Sequence, residues 1–331
     1  MQILAGDVGG TKTSLILSEH LGSNIRTIFK HTYPSQNYSD FYCILDEFFH
    51  QSAKFNALPK AACIAIAGPV QNGKVKVTNL PWIVSEQILK ERFNIDFVKL
   101  INDFQAVGYG LTTLDNNELE TLQAGKPENE GPKALIGAGT GLGIGIIISD
   151  LNDIRVLPSE GGRTDFAPRN DLDIELLQFL MHHKKRIACE EILSGKGLVK
   201  IYNFLKLKNT AKESTELHNR LKFNEPAAEI STYGLSGKDH LAEVALHYFT
   251  QIYGAQAGNI ALTILATGGV YIAGGIAPKI INKLKDGTFI DTFNDNPKMH
   301  KILKNIPVHV VLNTAVGLNG AQLVASTLFN N

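Results

Sequence analysis

The sequence predicts an α/β protein made of two related domains that face each other across a cleft. Three observations carry that expectation. Strands and helices alternate along both halves of the chain. Each half opens on a strand, a tight glycine turn and a returning strand, the first turning at Gly9 and the second at Gly139. The length, 331 residues, suffices for about two domains of roughly 150 residues each.

From Ile3 to Val8 apolar residues alternate with polar or small ones. The chain then turns at Gly9-Gly10-Thr11 and returns over Ser14 to Leu17, a period-two hairpin pattern. Cys63 to Ala67, stopped by Gly68-Pro69, predicts a short buried strand. Lys74 to Thr78 alternates as a half-exposed strand does. Phe97 to Ile101 predicts a strand that delivers Asn102 and Asp103 at its C-terminal end, with a helix from Phe104 to about Leu111. Residues 116–132 turn polar and contain Gly125, Pro127, Gly131 and Pro132, the composition of a linker or long loop. Ala134 to Ile148 predicts the second strand–turn–strand. Residues 171–207 and 238–265 are helical in pattern, Val270 to Ala273 and Val308 to Leu312 predict strands, and a closing helix runs from Gly320 to Phe329.

Composition narrows the function. Lys and Arg number 32, balanced by 32 Asp and Glu, which argues against nucleic acid or an anionic membrane as partner, since each needs a basic surface. The three cysteines, Cys43, Cys63 and Cys189, are widely spaced. That excludes a disulfide scaffold and a Cys-rich zinc site, and it suits the reducing cytoplasm. The chain reaches Asp7 without a basic n-region, so no signal peptide is expected. No Asp, Glu, Lys or Arg lies between Val244 and Pro278. His247, Gln251, Gln256, Asn259, Thr263 and two Gly-Gly pairs interrupt that run, which predicts a buried helix and strand in place of a membrane span.

Gly137, Gly139, Gly141, Gly143 and Gly145 recur at every second position. Alternation puts them on one face of a pleated hairpin, where missing side chains let another group reach the backbone. Tight sheet packing and close approach of a phosphate both account for this, and the spacing is not that of a dinucleotide fingerprint. Residues 68–74 fit the first seven positions of a Walker A loop, but Val75 stands where Ser or Thr must meet Mg²⁺ and a strand follows. In the first hairpin, consecutive glycine amides can form an anion-binding nest to which Thr11 or Thr13 adds a hydroxyl. Asp7 beside such a nest fits if Mg²⁺ lies between it and the phosphate; an Asp in an ordinary β-turn is the plainer alternative. Asp103, at a strand end where α/β sheets place ligands, serves either as a general base or as a helix cap. Glu160-Gly-Gly-Arg163-Thr-Asp165 puts polar side chains on a Gly-rich loop suited to a polyol, or forms a surface turn. Glu190-Glu191 is open to the same two readings. Residues 182–186, His-His-Lys-Lys-Arg, read as a solvated helix face, and Cys63 as a packed thiol.

Taken in order, several segments are matched by one family: Gly6-Asp-Val-Gly-Gly-Thr11, Ala65-Ile-Ala-Gly-Pro69, Thr78-Asn79, Ile101-Asn-Asp-Phe104, Gly137-Ala-Gly-Thr-Gly-Leu-Gly143, Leu157-Pro-Ser-Glu-Gly-Gly162, Asp165-Phe-Ala-Pro168, Leu193-Ser-Gly195 and Ile272-Ala-Gly-Gly275. Over essentially its whole length the chain resembles the bacterial glucokinase family. These are ATP-dependent sugar kinases with a hexokinase-type fold of two actin-like (ribonuclease H-type) α/β domains around a cleft.

The resemblance implies a smaller domain of residues 1–113 plus a C-terminal helix of about 314–331, and a larger domain of residues 114–313. Gly6, Asp7, Val8, Gly9, Gly10 and Thr11 would form one phosphate-binding element, Gly139 and Thr140 the other, and Gly274 and Gly275 would line the adenine side. Asp7 would hold Mg²⁺ through water. Asp103 would be the catalytic base, and Asn79, Asn102, Asp103, Glu160, Arg163 and Glu190 would bind the sugar. Glu190 takes this role, not Glu191, because it stands four residues before Ser194. The implied reaction is ATP-dependent phosphorylation of glucose to glucose 6-phosphate in the cytoplasm. It would need ATP and Mg²⁺ but no zinc, by a protein that could form a homodimer and binds neither nucleic acid nor membrane. A kinase for another hexose or sugar derivative, and a non-catalytic sugar and ATP sensor, are the alternatives. Family members usually carry a sugar-contacting histidine where this chain has Arg163, a longer group that only donates. That bears on sugar preference more than on the reaction. A sister family of sugar kinases and repressors has a Cys-rich zinc motif, which three scattered cysteines cannot supply.

Overall fold

A computed structural model describes residues 1–21, 24–150, 153–182 and 184–329. The chain divides into two compact units: Met1–Asn116 with Val156–Pro158 and Asn313–Asn331, and Asn117–Arg155 with Ser159–Leu312.

The first unit contains β1 (Gln2–Val8), β2 (Lys12–Leu21), β3 (Asn24–Pro34), α1 (Phe41–Ser52), β4 (Ala61–Ile66), β5 (Lys74–Lys76), β6 (Ile83–Ser85), α2 (Glu86–Phe93), β7 (Phe97–Asn102) and α3 (Asp103–Gly110). A C-terminal helix, Val316–Thr327, joins them. Its main sheet has the order β3-β2-β1-β4-β7. The first three strands are antiparallel neighbours, and β1, β4 and β7 run parallel. Parallel strands need apolar residues on both faces because helices cover both, and β4 is buried at every position. On one face Leu4, Leu15, Leu17 and Ile64 cluster with Phe41, Ile44, Leu45 and Phe48 of α1, which recur at helical spacing. Asp40 starts that helix by accepting a hydrogen bond from the Cys43 N–H at 2.9 Å. On the other face Ile3, Ala5, Cys63 and Ala65 cluster with Ala106 of α3 and with Leu318, Ala321 and Ala325 of the C-terminal helix. These two helices meet backbone to backbone. A Cβ on Gly110 would lie 2.0 Å from the Val316 carbonyl oxygen, and one on Gly320 would lie 1.8 Å from that of Ala106. Val8, Ile66 and Asn102 stand in one row across the sheet, so β1, β4 and β7 end together.

The second unit contains β8 (Leu119–Gln123), β9 (Lys133–Ala138), β10 (Leu142–Asp150), β11 (Asp153–Ser159, of which Val156–Pro158 group with the first unit), α4 (Asp171–Met181), α5 (Gly195–Leu207), α6 (Thr215–Arg220), α7 (Pro226–Ser236), α8 (His240–Ile264), β12 (Gly269–Ala273) and β13 (Val308–Val311). Its sheet has the order β11-β10-β9-β12-β13-β8, with β9, β12 and β13 parallel. α8 is apolar and buried around most of its circumference, as an interior helix must be. Among the described residues, no helix is long and apolar enough to cross a membrane.

Three expectations are corrected. The polar stretch of residues 116–132 is not all linker: β8 lies within it and pairs antiparallel with β13, and Gln123 Nε2 donates to the carbonyls of Leu303 and Ile306 at 2.8 and 2.7 Å. The closing helix begins at Val316, before Gly320. α4 ends at Met181 with His182 as its C-cap, so Lys184, Lys185 and Arg186 form an exposed loop and not a helix face; His183 lies outside the described residues. The strand β3 and the helix α1 are additions to the elements expected from the sequence.

Candidate active site

In the first unit, β1 brings Asp7 to the C-terminal edge of the sheet and the chain turns at once, Gly9 N–H donating to the Lys12 carbonyl at 3.0 Å. A Cβ on Gly10 would come 3.4 Å from that of Asn79, so the turn lies against Asn79, an exposed residue with a left-handed φ of +68°. Asparagine tolerates that region better than most residues. Gly6 and Val8 face inward. Val8 belongs to the apolar core, and a Cβ on Gly6 would meet Leu15 and Ile64 at 2.9 and 3.0 Å. Only their backbone is offered to a ligand. Thr11 is exposed.

Thr13 is corrected as a phosphate donor, because its side chain is fully buried with Oγ1 2.9 Å from Ser35 Oγ. Ser35 Oγ in turn donates to the Gly9 carbonyl at 2.8 Å, and Ser35 N–H donates to the Thr11 carbonyl at 3.0 Å. The two hydroxyls brace the glycine turn from beneath. Nothing in the local pattern around Pro34 signalled Ser35 for this task.

Asn102 caps α3. Its Oδ1 accepts from Phe104 N–H at 2.9 Å, its N–H donates to Gln105 Oε1 at 3.2 Å, and its Nδ2 donates to the Gly68 carbonyl at 3.4 Å. Capping therefore falls to Asn102. Asp103 stands on the first turn of α3, with Oδ1 accepting from Phe104 N–H at 2.9 Å. Desolvation, and then the charge of Asp103, push the Asp7 carboxyl from its ordinary 3.8 up to about 6, against a smaller opposing pull from Lys12. A glycine turn and two carboxylates, Asp103 raising Asp7, thus lie at one edge of the sheet. Residues 68–74 lead into β5, so no helix N-terminus follows them.

In the second unit the β9–β10 hairpin pairs Gly137 with Gly143 and closes with Gly139 N–H on the Gly141 carbonyl at 2.8 Å. Thr140 is exposed at its tip. Gly274 has φ of +84°, and a Cβ there would come 2.6 Å from the Ala138 carbonyl oxygen, so only glycine fits beside the strand end. The Gly275 N lies 3.9 Å from the place a Gly139 Cβ would take. Gly195 N–H, at the start of α5, donates to the Gly139 carbonyl at 2.9 Å. Tyr253, buried on α8, holds the Ala138 N–H at 3.1 Å through its hydroxyl. Gly139, Gly274 and Gly275 are therefore brought together.

Glu160 and Glu190 are also brought together, through Arg163. Its Nε lies 3.6 Å from Glu160 Oε2 and its Nη1 lies 3.5 Å from Glu190 Oε1. Glu190 Oε2 accepts from Leu142 N–H at 3.2 Å. Glu191 points elsewhere: it pairs with Lys184 and Lys200, whose hydrogen bonds hold its carboxyl below the ordinary value. Adjacent glutamates thus have separate tasks. Burial pushes the Cys63 thiol up, in keeping with a packed side chain.

Comparison with known proteins bears on the family and the fold. The Glucokinase family model matches residues 4–328. The glucokinase of a Nostoc species is 44% identical over 340 residues, covering 98% of this chain and 99% of that protein. The Synechocystis glucokinase is 42% identical and covers 98% of each. A crystal structure of glucokinase from an Antarctic psychrotroph superposes with a TM-score of 0.82 at 30% identity, over 100% of this chain and 99% of that one. The two α/β units accordingly have the actin-like sugar-kinase fold. Matched by a family model over nearly its whole length and by relatives of high coverage, the chain belongs to the glucokinase family.

Proposed function

We propose that the protein transfers the γ-phosphoryl group of ATP to the 6-hydroxyl of glucose, giving glucose 6-phosphate and ADP. The observation that carries this reading is the sheet edge of the first unit, where the glycine turn and Asp7 at the end of β1 and Asp103 just past the end of β7 flank the end of β4, and the charge of Asp103 raises the Asp7 carboxyl. Identity of 44% with a glucokinase supports it. Asp103 acts as general base. It takes the proton of the 6-hydroxyl as that oxygen bonds to the γ-phosphorus, while the bond from phosphorus to the bridging oxygen breaks and ADP leaves with the electron pair. Asn79, Asn102, Glu160, Arg163 and Glu190 fix the sugar hydroxyls, because this chemistry depends chiefly on positioning. The amides of residues 6–11 and the Gly139-Thr140 turn cradle phosphates, and Gly274 and Gly275 line the adenine side. Residues 1–113 with the helix of about 314–331 thus supply the base and one phosphate element, and residues 114–313 supply the rest.

The donor set suits Mg²⁺, a hard cation that binds one carboxylate, keeps waters and is completed by phosphate oxygens. Asp7 would hold it through a water, and when bound it neutralises phosphate charge. The protein works in the cytoplasm on sugar and ATP, without zinc, nucleic acid or membrane, and a homodimer is the assembly to test for.

The test is ADP and sugar-phosphate formation with glucose, mannose, galactose, N-acetylglucosamine or no sugar, and with EDTA followed by Mg²⁺. Glucose-dependent turnover that EDTA stops and Mg²⁺ restores is expected. ATP hydrolysis indifferent to sugar, or no turnover, refutes the reading. Preference for another hexose keeps the chemistry and changes the substrate; the cation of Arg163 between Glu160 and Glu190 is the observation that favours this second reading.

A further inference from the structure

We propose that Gly141 is a positioning residue for the sugar. Its missing side chain seats the Glu190 carboxylate on the β9–β10 hairpin, and this contact couples sugar binding to the phosphate-binding turn. The proposal rests on the assignment, made above, of Glu190 to the sugar and of the hairpin to phosphate.

Two oxygens of one carboxylate face two different tasks. Oε2 of Glu190 accepts from Leu142 N–H at 3.2 Å and occupies the space a side chain at 141 would need: a Cβ there would lie 2.4 Å from Oε2 and 3.1 Å from Cδ. Oε1 lies 3.5 Å from Arg163 Nη1. A second tie joins the same pair of segments, because Gly195 N–H, just beyond the Glu190 turn, holds the Gly139 carbonyl at 2.9 Å. A sugar that fixes Glu190 therefore also fixes the hairpin amide at Leu142. By linkage, a nucleotide that orders the hairpin strengthens sugar binding by the same factor.

The group in the way is the far end of a flexible side chain, partly exposed in the structure. A methyl at 141 therefore displaces the carboxylate while the fold yields little. Gly139 behaves differently, since a Cβ there would meet nothing nearer than the Gly275 N at 3.9 Å. Two glycines of one turn, alike in sequence, thus make opposite predictions.

The experiment measures calorimetric binding of glucose, and of a non-hydrolysable ATP analogue with Mg²⁺ in the absence and presence of glucose. It compares the wild type with Gly141→Ala, Gly139→Ala, Glu190→Asp and the double variant Gly141→Ala/Glu190→Asp. Gly141→Ala is expected to melt within about 2 °C of wild type, to weaken glucose binding at least about tenfold, and to bring the glucose-induced gain in analogue affinity close to 1 from the roughly 5- to 150-fold usual for coupled sites. Gly139→Ala should weaken the analogue and leave glucose binding within about twofold. In the Glu190→Asp background, where the carboxylate is already withdrawn, Gly141→Ala should add less than about threefold, the mark of two groups in contact. Unchanged glucose affinity in Gly141→Ala, or full additivity in the double variant, overturns the coupling and leaves the kinase reading standing. A wild type that binds no glucose overturns both. Should Gly141→Ala fail to fold, Glu190→Asp decides alone: coupling retained at the wild-type factor overturns the proposal.

Discussion

Replacing Asp7 by asparagine should stabilise the metal-free protein near neutral pH while abolishing its use of Mg-ATP. Burial and the Asp103 charge raise the Asp7 carboxyl from 3.8 to about 6. Between those two values the folded chain holds a proton that the unfolded chain has released, so stability falls as pH rises across the window. The loss is absent below about pH 4 and complete above about pH 6. At about 1.4 kcal/mol per pKa unit, it reaches at most about 3 kcal/mol, several degrees in melting temperature. Asparagine has nearly the same shape and nothing to ionise, so the variant avoids the loss. The assay is thermal or urea unfolding of both proteins from pH 4 to pH 8 without metal, with ADP formation measured in parallel. The stabilities should coincide at the acid end and separate towards pH 7, the variant above. Adding Mg²⁺ and an ATP analogue should narrow the gap by stabilising the wild type, since ligand bound to the folded state adds to its stability. A wild type as stable as the variant from pH 6 to pH 8 without metal would refute the raised Asp7 carboxyl. Unimpaired ATP turnover in the variant would remove Asp7 from the metal.

Asp103→Asn should lower kcat at least about 10²-fold while sugar affinity changes less, because a base acts chiefly in the transition state; steady-state kinetics that keep kcat would make Asp103 structural. Arg163→His should remain a glucose kinase yet shift kcat/KM among glucose, mannose, galactose and N-acetylglucosamine by roughly 5- to 150-fold, the range of one mispaired polar contact, and Arg163→Ala should raise KM for sugar more than for ATP. Identical sugar profiles in all three proteins would show that Arg163 points away from the sugar. Ser35→Ala removes the hydroxyl between Thr13 and the Gly9 carbonyl and should cost about 1–3 kcal/mol in urea unfolding. The same change should raise KM for ATP more than KM for sugar; a stability loss with both KM values unmoved would confine the brace to folding.

The glycine hairpins were legible because both signals are local: period-two alternation and adjacent small residues mark strand, turn and strand without reference to anything distant. The strand end at Asn102-Asp103 was legible for the same reason. The division of labour there was not, since it depends on the Gln105 side chain and the Gly68 carbonyl claiming Asn102. β8 and β3 escaped because each is an edge strand with polar residues on an open face, and its identity comes from the partner it pairs with. Gly139 and Gly141 look the same in a one-dimensional pattern. They differ in what stands opposite, which for Gly141 is Glu190, brought there by the fold. The residues themselves left Glu190 and Glu191 alike, and only the resemblance to the family pattern singled out Glu190; the lysines that hold Glu191 lie before and after it in the chain.

The reciprocal glycine contact between α3 and residues 316–327 sets a timetable for the nascent chain. α3 carries Asp103, and the helix that backs it is made only after about 200 more residues have left the ribosome. Until then Ile3, Ala5, Cys63 and Ala65 lack the apolar cover that Leu318, Ala321 and Ala325 provide. The second unit draws on one almost unbroken run of chain, so its folding need not wait. The first unit is therefore completed last, when this helix docks. The same helix sets Gly317 against the Asp7 carboxylate, where a Cβ would come 3.6 Å from Oδ2, so a chain without residues 316–327 lacks both the apolar cover of the sheet and one wall of the candidate site.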